Sequence, residues 1–335
     1  MNVANKAFQP GQEETNTGRE SRPRYDAALS TMWTVNNYKS LAEMFTAADQ
    51  MGFSRVELNH MIDSTLVDSL EIEKYPVTSV HEPCPADIST VELRLKDWLP
   101  SAPDEENRKL GVQAIQKSLD LAHRIGRYNH QTMTIVMHCG QVQIDHNDED
   151  SLRKLLKQGK KDAPEFRGIQ ARMIDERAER AGAYLSALKK SVLELLEYAA
   201  PFNVRIGLEN RFHYFDIPLQ DEMEDLLALA DSSRLGYIYD VGHAQALDRM
   251  GFLEHEDWLK RFSSRMFGTH LHDVRGADDH WPPGMGEIDF TKIARYLPAD
   301  AFRTLEIHGR HTLEQVQNSL KVLEQAGCVS QISSP

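Results

Sequence analysis

Three cysteines, Cys84, Cys139 and Cys328, are all that 335 residues contain, and no two form a CxxC pair. That excludes a disulfide framework and a cysteine-built zinc ribbon as organising features. The unpaired count, with no leader-like hydrophobic segment near the start, points to a reducing, cytoplasmic setting. Long apolar runs are missing too. None approaches the roughly 18 residues of a membrane span, so no membrane partner is expected. Positive charge is scarce: 38 Lys and Arg face 51 Asp and Glu, a formal net charge of −13. Binding a nucleic-acid backbone needs clustered cations, so this balance argues against that partner. One basic stretch exists, RKLLKQGKK at 153–161, followed by Arg167, Arg172, Arg177 and Arg180. Asp162, Glu165, Asp175, Glu176 and Glu179 interrupt it, and it reads as a solvated helix face. Finally, no glycine-rich turn follows the first strand-like run, where the sequence is STMWTVNN. An open, doubly wound dinucleotide fold lacks its signature here.

What the chain does have is six short apolar runs that each end in a possible metal ligand. They are TSVHEP at His81, TIVMHCG at His138, RIGLEN at Glu209, GYIYDVGHA at Asp240 with His243, FGTHLHD at His270, and RTLEIHG at Glu306. Each is rich in Val, Ile, Leu, Thr or Tyr, as a buried strand requires. Six strand-end ligands in succession imply one site built by strands that point the same way. A closed parallel barrel provides this, because every strand opens onto the same mouth.

The segments between alternate with helical patterns. Strands are expected near 26–33, 54–60, 77–81, 132–138, 204–210, 235–241, 266–272 and 303–308. Helices are expected to about 51, over 104–125 and 171–199, through DEMEDLLALA, and in LEQVQNSLKVLEQAG. Eight strands alternating with helices give a (β/α)8 TIM barrel of α/β class, with insertions after strands 3 and 4. Residues 1–24 read as a flexible tail, 25–328 as one catalytic domain, and 329–335 as a C-terminal tail. A homo-oligomer remains open.

The ordered motifs VHEP, VMHCG, LEN, DVGH, HLHD, DDHWPPGMGEIDF and LEIH resemble those of the xylose-isomerase-like TIM-barrel superfamily. The resemblance covers about residues 26–327. This superfamily contains sugar isomerases and epimerases as well as the apurinic endonuclease IV family. The nine-ligand, three-zinc pattern of endonuclease IV finds a residue of matching type at His81, His138, Glu209, Asp240, His243, His270, Asp278, His280 and Glu306. The isomerases and epimerases need four: Glu209, Asp240, His270 and Glu306, around one divalent ion. That mixed set suits Mn or Zn, with Mg or Co as alternatives.

The resemblance therefore implies a metal-dependent isomerase or epimerase, with Glu209 and Glu306 as metal-bound acid and base beside a substrate carbonyl. A trinuclear-zinc phosphodiesterase is the alternative, and a non-catalytic sugar- or metal-binding barrel subunit is a third. The loops after the first three strands lean acidic, and no lysine stands at a strand end. Both favour a small carbohydrate over DNA and a proton transfer over a lysine-assisted hydride shift. Glu57, His243 and Arg275 are expected to orient substrate, and Trp33 and Trp281 to form an apolar wall. His270 is preferred to His272 as ligand. His60, His123, His130, His146 and His311 read as surface residues.

Overall fold

The computed structural model describes residues 23–33 and 38–333. The expected tail up to residue 22, and residues 34–37 of the loop after the first strand, lie outside them.

The strands are β1 (Arg24–Ser30), β2 (Phe53–Leu58), β3 (Val77–His81), β4 (Met133–Met137), β5 (Val204–Glu209), β6 (Leu235–Asp240), β7 (Met266–Leu271), β8 (Asp273–Arg275), β9 (Asp278–Trp281), β10 (Phe302–Leu305) and β11 (Gln331–Ile332). β1 to β7 and β10 pair in parallel, neighbour to neighbour. β10 returns to β1 through Ala28 opposite Thr304 and Leu29 opposite Leu305, so the sheet closes. An open sheet is ruled out and the (β/α)8 barrel stands. The barrel strands are buried on both faces: every residue of β4 and of β6 is inaccessible to solvent, which is why their sequences are continuous apolar runs instead of alternating ones. β11 lies antiparallel on the start of β1, with Ile332 opposite Arg24, at the end away from the strand-end ligands.

Helices cover the outside. Glu105–Asn129 starts at Asp104, whose carboxylate caps the backbone N–H groups of Glu106 and Asn107, satisfying donors that the first turn leaves open. Pro164–Ala199 begins with proline at its first position, where a missing N–H costs nothing. The chain between β3 and β4 also carries the short helix Thr90–Leu95, and that between β4 and β5 carries His146–Lys157. The basic stretch is not simply a solvated face. The side chains of Arg153 and Arg177 are 13% and 4% exposed, tied to Glu149 and Glu222. Arg172 and Arg180, by contrast, are exposed and paired with Asp148 and Glu176.

Inside the barrel, Val136, Ile238, Phe267 and Phe302 make a small apolar cluster separate from the main core. A β-carbon on Gly268 would meet the Phe302 ring at 2.2 Å, so only glycine leaves room for it. Val136 and Phe302 precede His138 and Glu306 by two and four residues. The apolar layer is thus the floor beneath the polar strand ends.

Candidate active site and metal centre

His270 is the hub of the strand ends. Its Nδ1 lies 2.7 Å from Glu209 Oε1, 3.0 Å from Glu306 Oε2 and 3.6 Å from Asp240 Oδ2. All four side chains are buried, and one ligand atom from each falls within 4.8 Å of every other. Parallel pairing creates this: Asp240 is in register with His270, and His270 with Thr304, two residues before Glu306. His270 and His272 both face inward, as alternation requires, but their roles separate. His272 Nδ1 accepts the His280 backbone N–H at 2.9 Å, so Nε2 keeps the ring proton and donates it to Asp240 at 3.0 Å. Gly242 of the DVGH motif makes way for this ring: a β-carbon there would meet His272 at 2.1 Å.

Glu57 lies a layer lower than expected for a substrate contact. It is in register with Ser79, two residues before His81. It accepts from Ser79 Oγ at 2.6 Å and sits 3.2 Å from His270 Nε2. Its evident task is to hold the His270 ring, which corrects the sequence expectation. This is the carboxylate–histidine arrangement that orients metal-binding imidazoles.

Two further clusters adjoin the hub. His138 Nε2 is 3.3 Å from Glu209 and 2.6 Å from His81 Nε2, and His81 Nδ1 is 3.5 Å from Glu306. On the other side, His243 donates through Nδ1 to the Asn210 carbonyl at 3.0 Å, leaving Nε2 free toward Asp279 at 3.8 Å. His280 Nδ1 is 3.0 Å from Asp279 and its Nε2 is 3.6 Å from Glu306. His280 has a left-handed φ of +56°, a conformation that a non-glycine residue holds only where its surroundings impose it.

Several expectations change. Asp278 is turned away: its side chain is 47% exposed and takes Arg310 and the Trp281 indole N–H. Its neighbour Asp279 faces the cluster instead. Arg275 is not aimed at the hub either. Its guanidinium stacks on Trp281 at 3.8 Å and its Nε donates to the Met285 carbonyl. Trp281 is thus engaged on a face by Arg275, with Arg310 4.9 Å away. Trp33 is buried and donates to the His311 carbonyl. His311 itself is buried, not superficial. His60 is also no surface residue: its ring lies 5.5 Å from His81 and 6.1 Å from His138. Sequence reasoning missed Arg211, which donates to Glu209, and Glu82, which accepts the His138 backbone N–H at 2.7 Å. Arg211 directly follows the LEN motif and Glu82 lies within VHEP, and position in those motifs is the one signal available.

The electrostatics are those of a site short of positive charge. Burial alone would push the Glu209 carboxyl up, but Arg211, His138 and His270 hold it well below the usual carboxylate range. Burial opposed by His270 and its neighbours does the same for Glu306. Burial works against a charged His81, yet Glu209, Glu306 and Glu57 raise it to about 9. Glu82 goes the other way, pushed up to about 7 by burial. Glu57 Oε1, Glu209 Oε1, Glu306 Oε1, His81 Nδ1, His270 Nδ1 and His280 Nδ1 are all buried without a hydrogen-bond partner. His270 Nδ1 can serve only one of the three carboxylates that converge on it, Glu57 lying at Nε2. Converging oxygens and nitrogens left unpaired in the interior fit a divalent cation, and Glu209, Asp240, His270 and Glu306 could hold it.

Fold and mouth together define a (β/α)8 barrel whose strand ends assemble a buried histidine–carboxylate site. The chain belongs to the xylose isomerase-like TIM barrel family, whose model matches residues 45–326. The uncharacterized protein y4fM of Sinorhizobium fredii (strain NBRC 101917 / NGR234) is 26% identical over 205 residues, which is 59% of this chain and 51% of that one. The chain thus spans about half the length of this curated relative. The structure of D-allulose 3-epimerase from Methylomonas sp. matches with a TM-score of 0.59 at 14% identity, over 91% of this chain and 98% of that one. The IOLI protein with a binding zinc atom matches with a TM-score of 0.57 at 14% identity, over 90% and 97% of the two chains. At these identities the likeness is one of fold.

Proposed function

We propose that this chain is a divalent-metal-dependent isomerase or epimerase of a small carbohydrate or carbohydrate derivative, working through residues 25–328 as one catalytic domain. The observation that carries the reading is the convergence of Glu209 and Glu306 on one point, 2.7 and 3.0 Å from the same His270 nitrogen. Two carboxylates so disposed can take a proton from a carbon and return one to it. Glu209, Asp240, His270 and Glu306 would hold a divalent cation, which when bound would offset the negative charge that develops on a substrate oxygen. Glu57 keeps His270 oriented, and His272 keeps Asp240 oriented. The buried walls exclude water from the exchanging proton. Mn or Zn suits three carboxylates and an imidazole. A sugar epimerase among the structures of like fold is consistent with this chemistry.

A second reading has its own observation. The hub is flanked by His81, His138 and Glu209 on one side and by Asp240, His243 and His280 on the other, an arrangement able to hold three zinc ions and cleave a phosphodiester. Elemental analysis of the purified protein separates the two. About one metal per chain supports the isomerase; three zinc ions per chain would favour the phosphodiesterase.

A further inference from the structure

Arg211 is an arginine set among the groups of the site. It follows Glu209 by two positions, and its side chain is 11% exposed. Its contact with Glu209, which also lies 2.7 Å from His270, puts it beside the hub.

Its fork is mostly unused. Nη1 donates to Glu209, whereas Nε is 3.9 Å from Asp216, beyond hydrogen-bond range. Arg108, also buried, behaves differently: its guanidinium nitrogens make bonds to Glu105, Ser191 and Glu194. Arg177 grips Glu222 with both terminal nitrogens and donates to the Asp216 carbonyl. Both carboxylates within 4.0 Å of Arg211 are already engaged. Glu209 is shared with His138 and His270, and Asp216 takes Arg94 at 2.8 Å. A cation taken up by Glu209 would also repel the guanidinium and turn it toward whatever occupies the mouth.

We propose that Arg211 determines specificity by taking an oxyanion, the carboxylate or phosphate of a sugar-derived substrate, on its free N–H groups. A planar fork matches such an oxyanion in bidentate geometry. The proposal rests on the small-carbohydrate reading and narrows it to acidic sugars. In a mouth lined by carboxylates, an anionic substrate is admitted only where a protein cation offsets the repulsion. A neutral sugar has no such need.

The test is calorimetric binding with Mn2+ saturating, so that no turnover is involved. The probes are D-gluconate, inorganic phosphate and D-glucitol, the last being a neutral polyol of gluconate's length. Wild type should bind gluconate or phosphate about tenfold or more tightly than glucitol, the scale of a charge-assisted hydrogen-bond pair. The arm that shows the preference identifies carboxylate or phosphate as the source. Arg211→Met should abolish the preference, read as the ratio of oxyanion to glucitol affinity in the same variant, and Arg211→Lys should keep only part of it. If the methionine variant fails to fold, the lysine variant carries the comparison. Equal or absent binding of both oxyanions to wild type would overturn the proposal, as would a preference that survives in Arg211→Met. An oxyanion preference without proton exchange on any sugar would sink the catalytic reading and leave Arg211's role standing.

Discussion

His272 Nε2 lies 3.0 and 3.2 Å from the two carboxylate oxygens of Asp240. With Nδ1 already accepting the His280 backbone N–H, the ring has a single tautomer and one task, to hold Asp240 in place. His272→Phe keeps a ring against Gly242 but removes the donor. Metal affinity should fall about 10- to 100-fold, the usual effect of losing such an orienting partner, when measured by competition with a chelator. Unchanged affinity would show that Asp240 needs no such support.

Charge crowding in the hub makes metal and stability inseparable. Glu57, Glu209, Asp240 and Glu306 are buried around one histidine, so the metal-free protein contains repelling carboxylates. Saturating metal at 100 times its dissociation constant should add about 2.7 kcal/mol to the unfolding free energy. Glu306→Gln should lower that gain and also destabilise the metal-free form, because His270, His280 and His81 hold Glu306 ionised there. Urea unfolding with and without EDTA measures both. A metal-free form stabilised by this substitution would mean that repulsion among the carboxylates outweighs their attraction to the histidines.

The strand-end ligands were legible because a barrel strand ends at the mouth wherever its apolar run stops. His81, His138, Glu209, Asp240, His270 and Glu306 needed only that rule. Beyond the strand end the rule expires. Asp278 and Asp279 are adjacent acids in a β-ribbon, and the family resemblance pointed to the one that bonds Trp281 and Arg310. Arg211 and His60 lie in loops whose path only the closed barrel dictates. Glu57 looked like a substrate contact because its strand ends one residue later. Only its register with Ser79 puts it a layer below the mouth.

The helix His146–Lys157 clasps the mouth through one arginine. Arg153 bonds Glu149, the Phe212 carbonyl at 3.0 Å and the Ala277 carbonyl at 3.3 Å. It thereby ties the loop that follows Glu209 to the β8–β9 ribbon. Glu149 is 1% exposed, so Arg153→Met leaves a buried carboxylate with His213 and the Tyr214 N–H as its remaining partners. A loss of about 3 kcal/mol in unfolding free energy is expected. A loss below about 1 kcal/mol would place the pair among weak surface bridges.

His255 gives the fold a pH dependence away from the hub. Its Nδ1 faces Gln245 at 3.0 Å and its Nε2 meets the Tyr239 hydroxyl. Burial lowers its pKa to about 4, so between about 6.5 and 4 the unfolded chain binds a proton that the folded chain does not. Stability therefore falls as pH drops through that window. His255→Gln should flatten the fall seen in urea titrations at pH 7, 5.5 and 4.5. An unaltered slope would assign it to other groups.

Proton exchange tests the central claim most directly. A panel of neutral and acidic ketoses incubated in heavy water with the metal-loaded protein should show deuterium entering the carbon next to the carbonyl of at least one member. Glu306→Gln should slow that entry about 10^2- to 10^4-fold, the range for loss of a positioned acid–base group, with the circular dichroism spectrum unchanged. Absence of exchange across the whole panel, together with cleavage of abasic DNA, would contradict the account.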